Sequence, residues 1–225
     1  MMTLLISLRQ IAHGVFITLV LMSASLCISY VLAVIFTIIN YAGNKWLKKC
    51  LSAVIFLVRG TPLLVQIYLI YYGAGQFSGV RESVLWPILR EPLFCAIIAL
   101  SINSACYTTV LLEAALASIP ENEMSACAAL GMSKWQTFVY ICFPRGMGIV
   151  LPAYSNEVMM LLKGTTLAST ITLLDVMGVT QQLIAQSYAV IEWYLFAAMI
   201  YLSLNALITY GFSRLIKQNN SYISS

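Results

Sequence analysis

Residues 119–144 read IPENEMSACAALGMSKWQTFVYICFP, a charge-bearing, helix-coded segment set between runs of strongly apolar sequence. Asn122 can cap a short helix whose first turn carries Glu123, an acid at the positive end of the helix dipole. Gly131 supplies the left-handed residue that ends it. Two residues later, Ser133 and Gln136 have the S-x-x-Q spacing of a capping box, which predicts a second helix running to Pro144. The first helix is faced with Ser125, Ala126, Cys127, Ala128 and Ala129. These are too small to build a core and small enough for a partner's cleft to close on the backbone. The pattern suggests a device gripped by another protein; the plainer alternative is an ordinary helical hairpin.

The flanking sequence fixes the setting. The 225 residues are 61% hydrophobic and only 9% charged, against about 25% charged in a typical soluble domain, so the chain is a polytopic membrane protein. About 20 apolar residues cross a bilayer core. Five stretches reach or approach that length, at about 11–39, 51–72, 92–112, 147–168 and 188–212. All belong to one transmembrane domain, 1–225, with the helical loop at 113–146. The first stretch exceeds one crossing and has no cleavage pattern, so it reads as retained. Lys45, Lys48 and Lys49 share a side with Lys134, Arg145, Arg214 and Lys217 if there are five spans. Arg9, Arg81 and Arg90 lie opposite, the last two beside Glu82 and Glu91. The positive-inside rule then places the 113–146 loop and the C-terminus in the cytoplasm and the N-terminus outside. It also accounts for the net charge of +4 without a nucleic-acid partner.

Enzyme motifs are missing. There is no phosphate-binding G-x-x-x-x-G-K-[ST], no H-E-x-x-H and no G-x-S-x-G. The single His, His13, lies near the start of the first stretch, and the only Asp, Asp175, follows the fourth. Catalysis, a metal site and a cofactor bound by this chain are not expected. The six cysteines include no C-x-x-C pair and read as small apolar fillers. No internal repeat is seen, and the polar tail 218–225 is predicted to be disordered.

Function is therefore sought in polar groups at membrane depth. Glu157 stands out, since a carboxylate at a span centre costs about 2.5–3.5 kcal/mol on insertion scales. The third stretch carries Ser104, Asn103 and Tyr107, the last two on one helix face at i, i+4. Counting from the span ends puts Asn103 and Glu157 at similar depth, near the midplane where transporters commonly bind substrate. The alternatives are that Asn103 ties helices together and that Glu157 pairs with Lys163 or Arg59. Arg59, Gly60 and Pro62 interrupt the second stretch and read either as a helix start or kink with Arg59 snorkelling to the headgroups, or as a gate hinge. Leu173 to Gly178 looks like a short outer helix.

The 119–144 segment resembles the cytoplasmic coupling loop, the "EAA" loop, of ABC importer permeases, with the family's Gly on Gly131 and its I-x-L-P ending on Ile141 to Pro144. The Glu-Ala-Ala of that family falls on Ser125, Ala126 and Cys127, while the literal Glu113-Ala114-Ala115 lies too far from the Gly. Arg59 to Gln66 (RGTPLLVQ), Ala99 to Tyr107 (ALSINSACY), Asn156-Glu157 and Leu162 to Ser169 (LKGTTLAS) extend the resemblance over about 11–217. The chain is thus similar to the polar amino-acid uptake permeases of the histidine and arginine type, and nearest the arginine type. The resemblance implies an all-α permease of the type I importer fold in the bacterial inner membrane. It also implies a dimer of ABC ATPase subunits holding ATP and Mg, a like or identical sister permease, a periplasmic binding protein and an amino-acid substrate. Asn103 and Glu157 match the family's substrate-binding Asn and Glu, with Ser104 and Tyr107 beside them. Ser125, Ala126, Cys127, Ala128 and Gly131 match its ATPase-coupling segment. A second acid present in some arginine-binding members corresponds to Gly164. The rival reading is an ion-coupled carrier or channel with Glu157 as ion ligand.

Overall fold

The computed structural model describes residues 2–223, and among these all regular structure is helical. Helix α1 (Met2–Ala42) is followed by α2 (Lys45–Gly60) and α3 (Leu63–Tyr68), which continues as a π turn over Leu69–Gly73. Two single turns, α4 (Ser78–Arg81) and α5 (Trp86–Leu89), lead into α6 (Pro92–Ala117). Then come α7 (Glu121–Ala129), α8 (Lys134–Thr137), a π turn Phe138–Cys142, α9 (Phe143–Gly164), a 3-10 segment Thr165–Ile171, α10 (Val176–Ser187) and α11 (Val190–Ile223). Three helices are long and apolar enough to cross a membrane, or up to five if each of two bent pairs is one span.

α6 is the central post. It is overwhelmingly apolar, yet its buried face carries many small and hydroxyl residues, among them Cys95, Ala99, Ser101, Ser104, Ala105 and Thr108. The facing seam of α1 is built alike from Thr18, Ser25, Ser29, Ala33 and Thr37, all essentially inaccessible. Small side chains let two backbones approach closely, which is how helices associate where lipid removes the hydrophobic drive. The Thr37 and Thr109 hydroxyls bond back to the carbonyls of Ala33 and Ala105, so neither is buried unpaired. Ala33 packs against Leu112, Ala115 and Val150. Ala33→Leu should therefore overpack the seam and cost about 1–3 kcal/mol, seen as a lower melting temperature of the purified permease. Val31→Leu, on the exposed face of the same helix, should leave it unchanged.

The structure corrects several sequence-based expectations. The interruption read at Gly60 and Pro62 is present but far sharper than a kink: α2 and the α3 segment meet at 107° there. The first part of the expected 113–146 loop, to Ala117, still belongs to α6. α7 begins at Glu121 with Pro120, not Asn122, at its N-cap and no side-chain cap bond. The helix opened by Ser133 does not stop at Pro144, because the π turn passes the missing N–H by pairing Phe143 N with the Phe138 carbonyl. The short helix expected at 173–178 starts at Val176, with the Asp175 carboxylate accepting from Gly178 N at 2.9 Å, and runs to Ser187. Of the cysteines, four are buried, but Cys27 and Cys50 are exposed rather than packed as fillers.

Candidate functional site

A cavity of about 620 Å³ opens between the α2–α3 break, the middle of α6 and the C-terminal half of α9. That is within the range of about 300–1,000 Å³ usual for small-molecule sites. Asn103, Ser104, Tyr107 and Glu157 all line it, together with Arg59, Lys163 and Gly164. The four residues singled out at membrane depth are thus brought together. The Ser104 hydroxyl lies beside the Glu157 carboxylate, and Arg59 is near enough for its charge to attract it. Glu157 makes no direct ion pair with either Arg59 or Lys163. The Arg59 guanidinium instead sits 5.0 Å from the centroid of the Tyr107 ring, a cation–π contact.

The break that shapes the cavity follows from Pro62. Proline has no N–H, so the Val58 carbonyl, four residues back, loses its helical partner. Gln66 replaces it, its Nε2 donating to Val58 O at 2.7 Å and to Thr61 O at 3.1 Å. The Thr61 hydroxyl donates to Leu57 O at 2.9 Å, and Tyr107 on α6 donates to Arg59 O at 3.3 Å. Asn103 then donates from Nδ2 to Gln66 Oε1 at 3.1 Å. Asn103 therefore does tie helices together, as well as facing the cavity. Gln66 was visible in the sequence only as the end of a matching motif. Its role depends on a reach back across a turn that local pattern does not encode. Gly164 fits a tight corner: a Cβ there would sit 3.1 Å from Leu63 Cδ2 and 3.3 Å from Leu100 Cδ2.

At the end of the bundle where α1 and α6 finish, α7 closes on a Schellman motif. Gly131 N donates to Ala128 O at 3.0 Å and Met132 N to Cys127 O at 3.1 Å. Gly131 has φ +75°. The capping box of Ser133 and Gln136 forms in both directions. Glu123 pairs with Arg145 at 2.8 Å, tying α7 to the start of α9. Ser125, Ala126 and Ala128 face outward, whereas Cys127 is buried toward Cys142, so it is not part of the exposed face. Exposed Leu130, Trp135 and Tyr140 extend that face. The literal Glu113 is bonded by Asn40 of α1, within the bundle.

Two solved structures share the fold: an amino acid ABC transporter with histidines, TM-score 0.85 at 24% identity over 96% of this chain and 97% of that one, and the MetNI methionine ABC transporter, TM-score 0.76 at 17% identity over 94% and 96%. The chain belongs to the family of binding-protein-dependent transport system inner membrane components, whose model matches residues 29–221. It is 40% identical over 211 residues, 94% of this chain and 92% of the relative, to the arginine ABC transporter permease protein ArtM of Haemophilus influenzae. It is 51% identical over 156 residues, 69% of each chain, to the ArtM protein of Escherichia coli K12. It is 41% identical over 192 residues, 85% of this chain and 78% of the relative, to the octopine transport system permease protein OccM of Rhizobium meliloti. The chain is an inner-membrane ABC permease and not itself catalytic.

Proposed function

We propose that this chain is the permease subunit of an ATP-driven importer that carries a basic amino acid, arginine or a close derivative, through the cavity between α6 and α9. The observation that carries the reading is the joint placement of Asn103, Ser104, Tyr107 and Glu157 around one cavity beside the α2–α3 break. Arg59 and Lys163 line the same space and suit the carboxylate common to all amino acids, while Glu157, the only acid among the lining residues, suits a cationic side chain. The relatives named for arginine and octopine transport point the same way. On this reading a dimer of ATPase subunits grips α7 and the exposed Leu130–Trp135 surface. A like or identical sister permease completes the pathway, and a periplasmic binding protein delivers substrate. On this reading the chain has five spans, each bent pair counting as one, with α7 and the C-terminus in the cytoplasm and the N-terminus in the periplasm, an orientation that the positive-inside bias supports. No cofactor is bound by this chain, ATP and Mg being held by the ATPase.

The test is uptake by proteoliposomes holding the permease, its ATPase and the binding protein. Arginine should accumulate only with ATP at the ATPase face, be unaffected by a protonophore, and be displaced by excess arginine but not by leucine. Accumulation driven by an imposed proton gradient without ATP would overturn the reading in favour of the ion-coupled carrier.

A further inference from the structure

The end of α2 is held by side chains rather than by the next helical turn. Pro62 removes the amide due to Val58, and the Gln66 amide donates there at 2.7 Å, to Thr61 O at 3.1 Å and to Thr61 Oγ1 at 3.0 Å. The oxygen of that amide accepts from Asn103 at 3.1 Å. One side chain thus links the last turn of α2, its own helix α3 and the cavity wall on α6. The neighbouring Arg59 carbonyl is held from the same wall by Tyr107. Both α6 residues that fasten the break, Asn103 and Tyr107, also line the cavity.

We propose that Gln66 is a positioning residue whose clamp on the α2–α3 break is adjusted by what Asn103 binds. The inference rests on the cavity being the transport site, and it adds how occupancy there reaches the α2–α3 break. An Asn amide offers two N–H donors and a carbonyl acceptor, and the bond to Gln66 uses one N–H. A ligand that takes the other N–H or the carbonyl fixes or turns the amide, and bonded chains of this kind polarise one another. The change passes to Gln66 and so to the Val58 and Thr61 carbonyls, where a bend of 107° is set by few bonds. Hinges are commonly a few residues at the ends of elements, where a change in backbone angles is absorbed.

The experiment uses the assembled complex of permease, ATPase and binding protein, with arginine as probe. Gln66→Leu removes donors and acceptor. It should speed hydrogen exchange over 55–66 without arginine present, and lower the maximal uptake rate about tenfold with KM changed by less than about threefold. Gln66→Glu keeps the acceptor for Asn103 but loses the donors, so its rate should be low at neutral pH. That rate should recover relative to the parent as the pH falls and the new carboxyl gains a proton to donate. If Gln66→Leu fails to assemble, this pH profile decides the matter. Parental maximal rates in both variants, a change in KM alone, or unaltered exchange over 55–66 would overturn the clamp. A parent complex that moves no arginine refutes the substrate assignment instead, and the exchange measurement still decides the clamp.

Discussion

Glu157→Gln should lower kcat/KM for arginine uptake by about tenfold to a hundredfold while changing uptake of a neutral amino acid by less than about threefold. A hydrogen bond to a charged partner contributes about 1.5–3 kcal/mol, and each 1.4 kcal/mol is a factor of ten. Glu157 is the only acid lining the cavity, so no other lining side chain can replace its charge. The amide keeps the size of the side chain while removing its charge. Asn103→Leu should behave differently and impair every amino acid, because it loses a contact suited to the shared backbone groups and also frees Gln66. The measurement is parallel transport of arginine and a neutral amino acid by both variants in proteoliposomes. Parental arginine transport by Glu157→Gln would make the carboxylate a structural counter-charge to Arg59 and remove it from the site.

The contrast between these residues shows what the sequence could carry. Glu157 and Asn103 were legible because a polar group at span depth is costly, and counting from span ends compares depths without a structure. The ends of α7 were legible only on one side. Gly131 is a local conformational signal, and its positive φ followed from residue type. Asn122 is an equally good cap by type, but Pro120 already has the extended backbone of an N-cap, φ −60° and ψ 137°, and starts the helix first. In a nine-residue helix of small residues no apolar period marks a face, so the inward turn of Cys127 left no trace in the pattern.

The broken span is the clearest case of the same limit. Gly60-Thr61-Pro62 announces an interruption, but a kink, a helix start and a hinge all have that spelling. The 107° angle depends on Gln66 reaching back to Val58 and on Tyr107 and Asn103 arriving from α6. The converse holds at Pro144. There the residue type predicts a stop, and a π turn with an i to i+5 bond carries the helix on. Proline fixes only which bond is missing; tertiary partners decide what replaces it.

Gly131→Val should reduce uptake at least about tenfold while leaving the permease inserted, and Gly131→Asn should stay within about threefold of the parent. At φ +75° a β-branched residue is a genuine outlier, whereas Asn tolerates the left-handed region. The permease itself has room, since a Cβ on Gly131 meets nothing within 4 Å. Loss in the Val variant therefore reports the backbone turn that ends α7 and presents Leu130, not a clash inside the chain. Steric exclusion by the partner is read separately at Ala126, which is exposed on α7. Ala126→Trp keeps a helix-compatible backbone and should abolish capture of the ATPase, with the melting temperature of the permease alone unchanged. Pull-down of the ATPase and uptake are measured for all three variants. Parental capture and uptake by both Gly131→Val and Ala126→Trp would mean that α7 is a connector, and that the ATPase docks elsewhere on the chain.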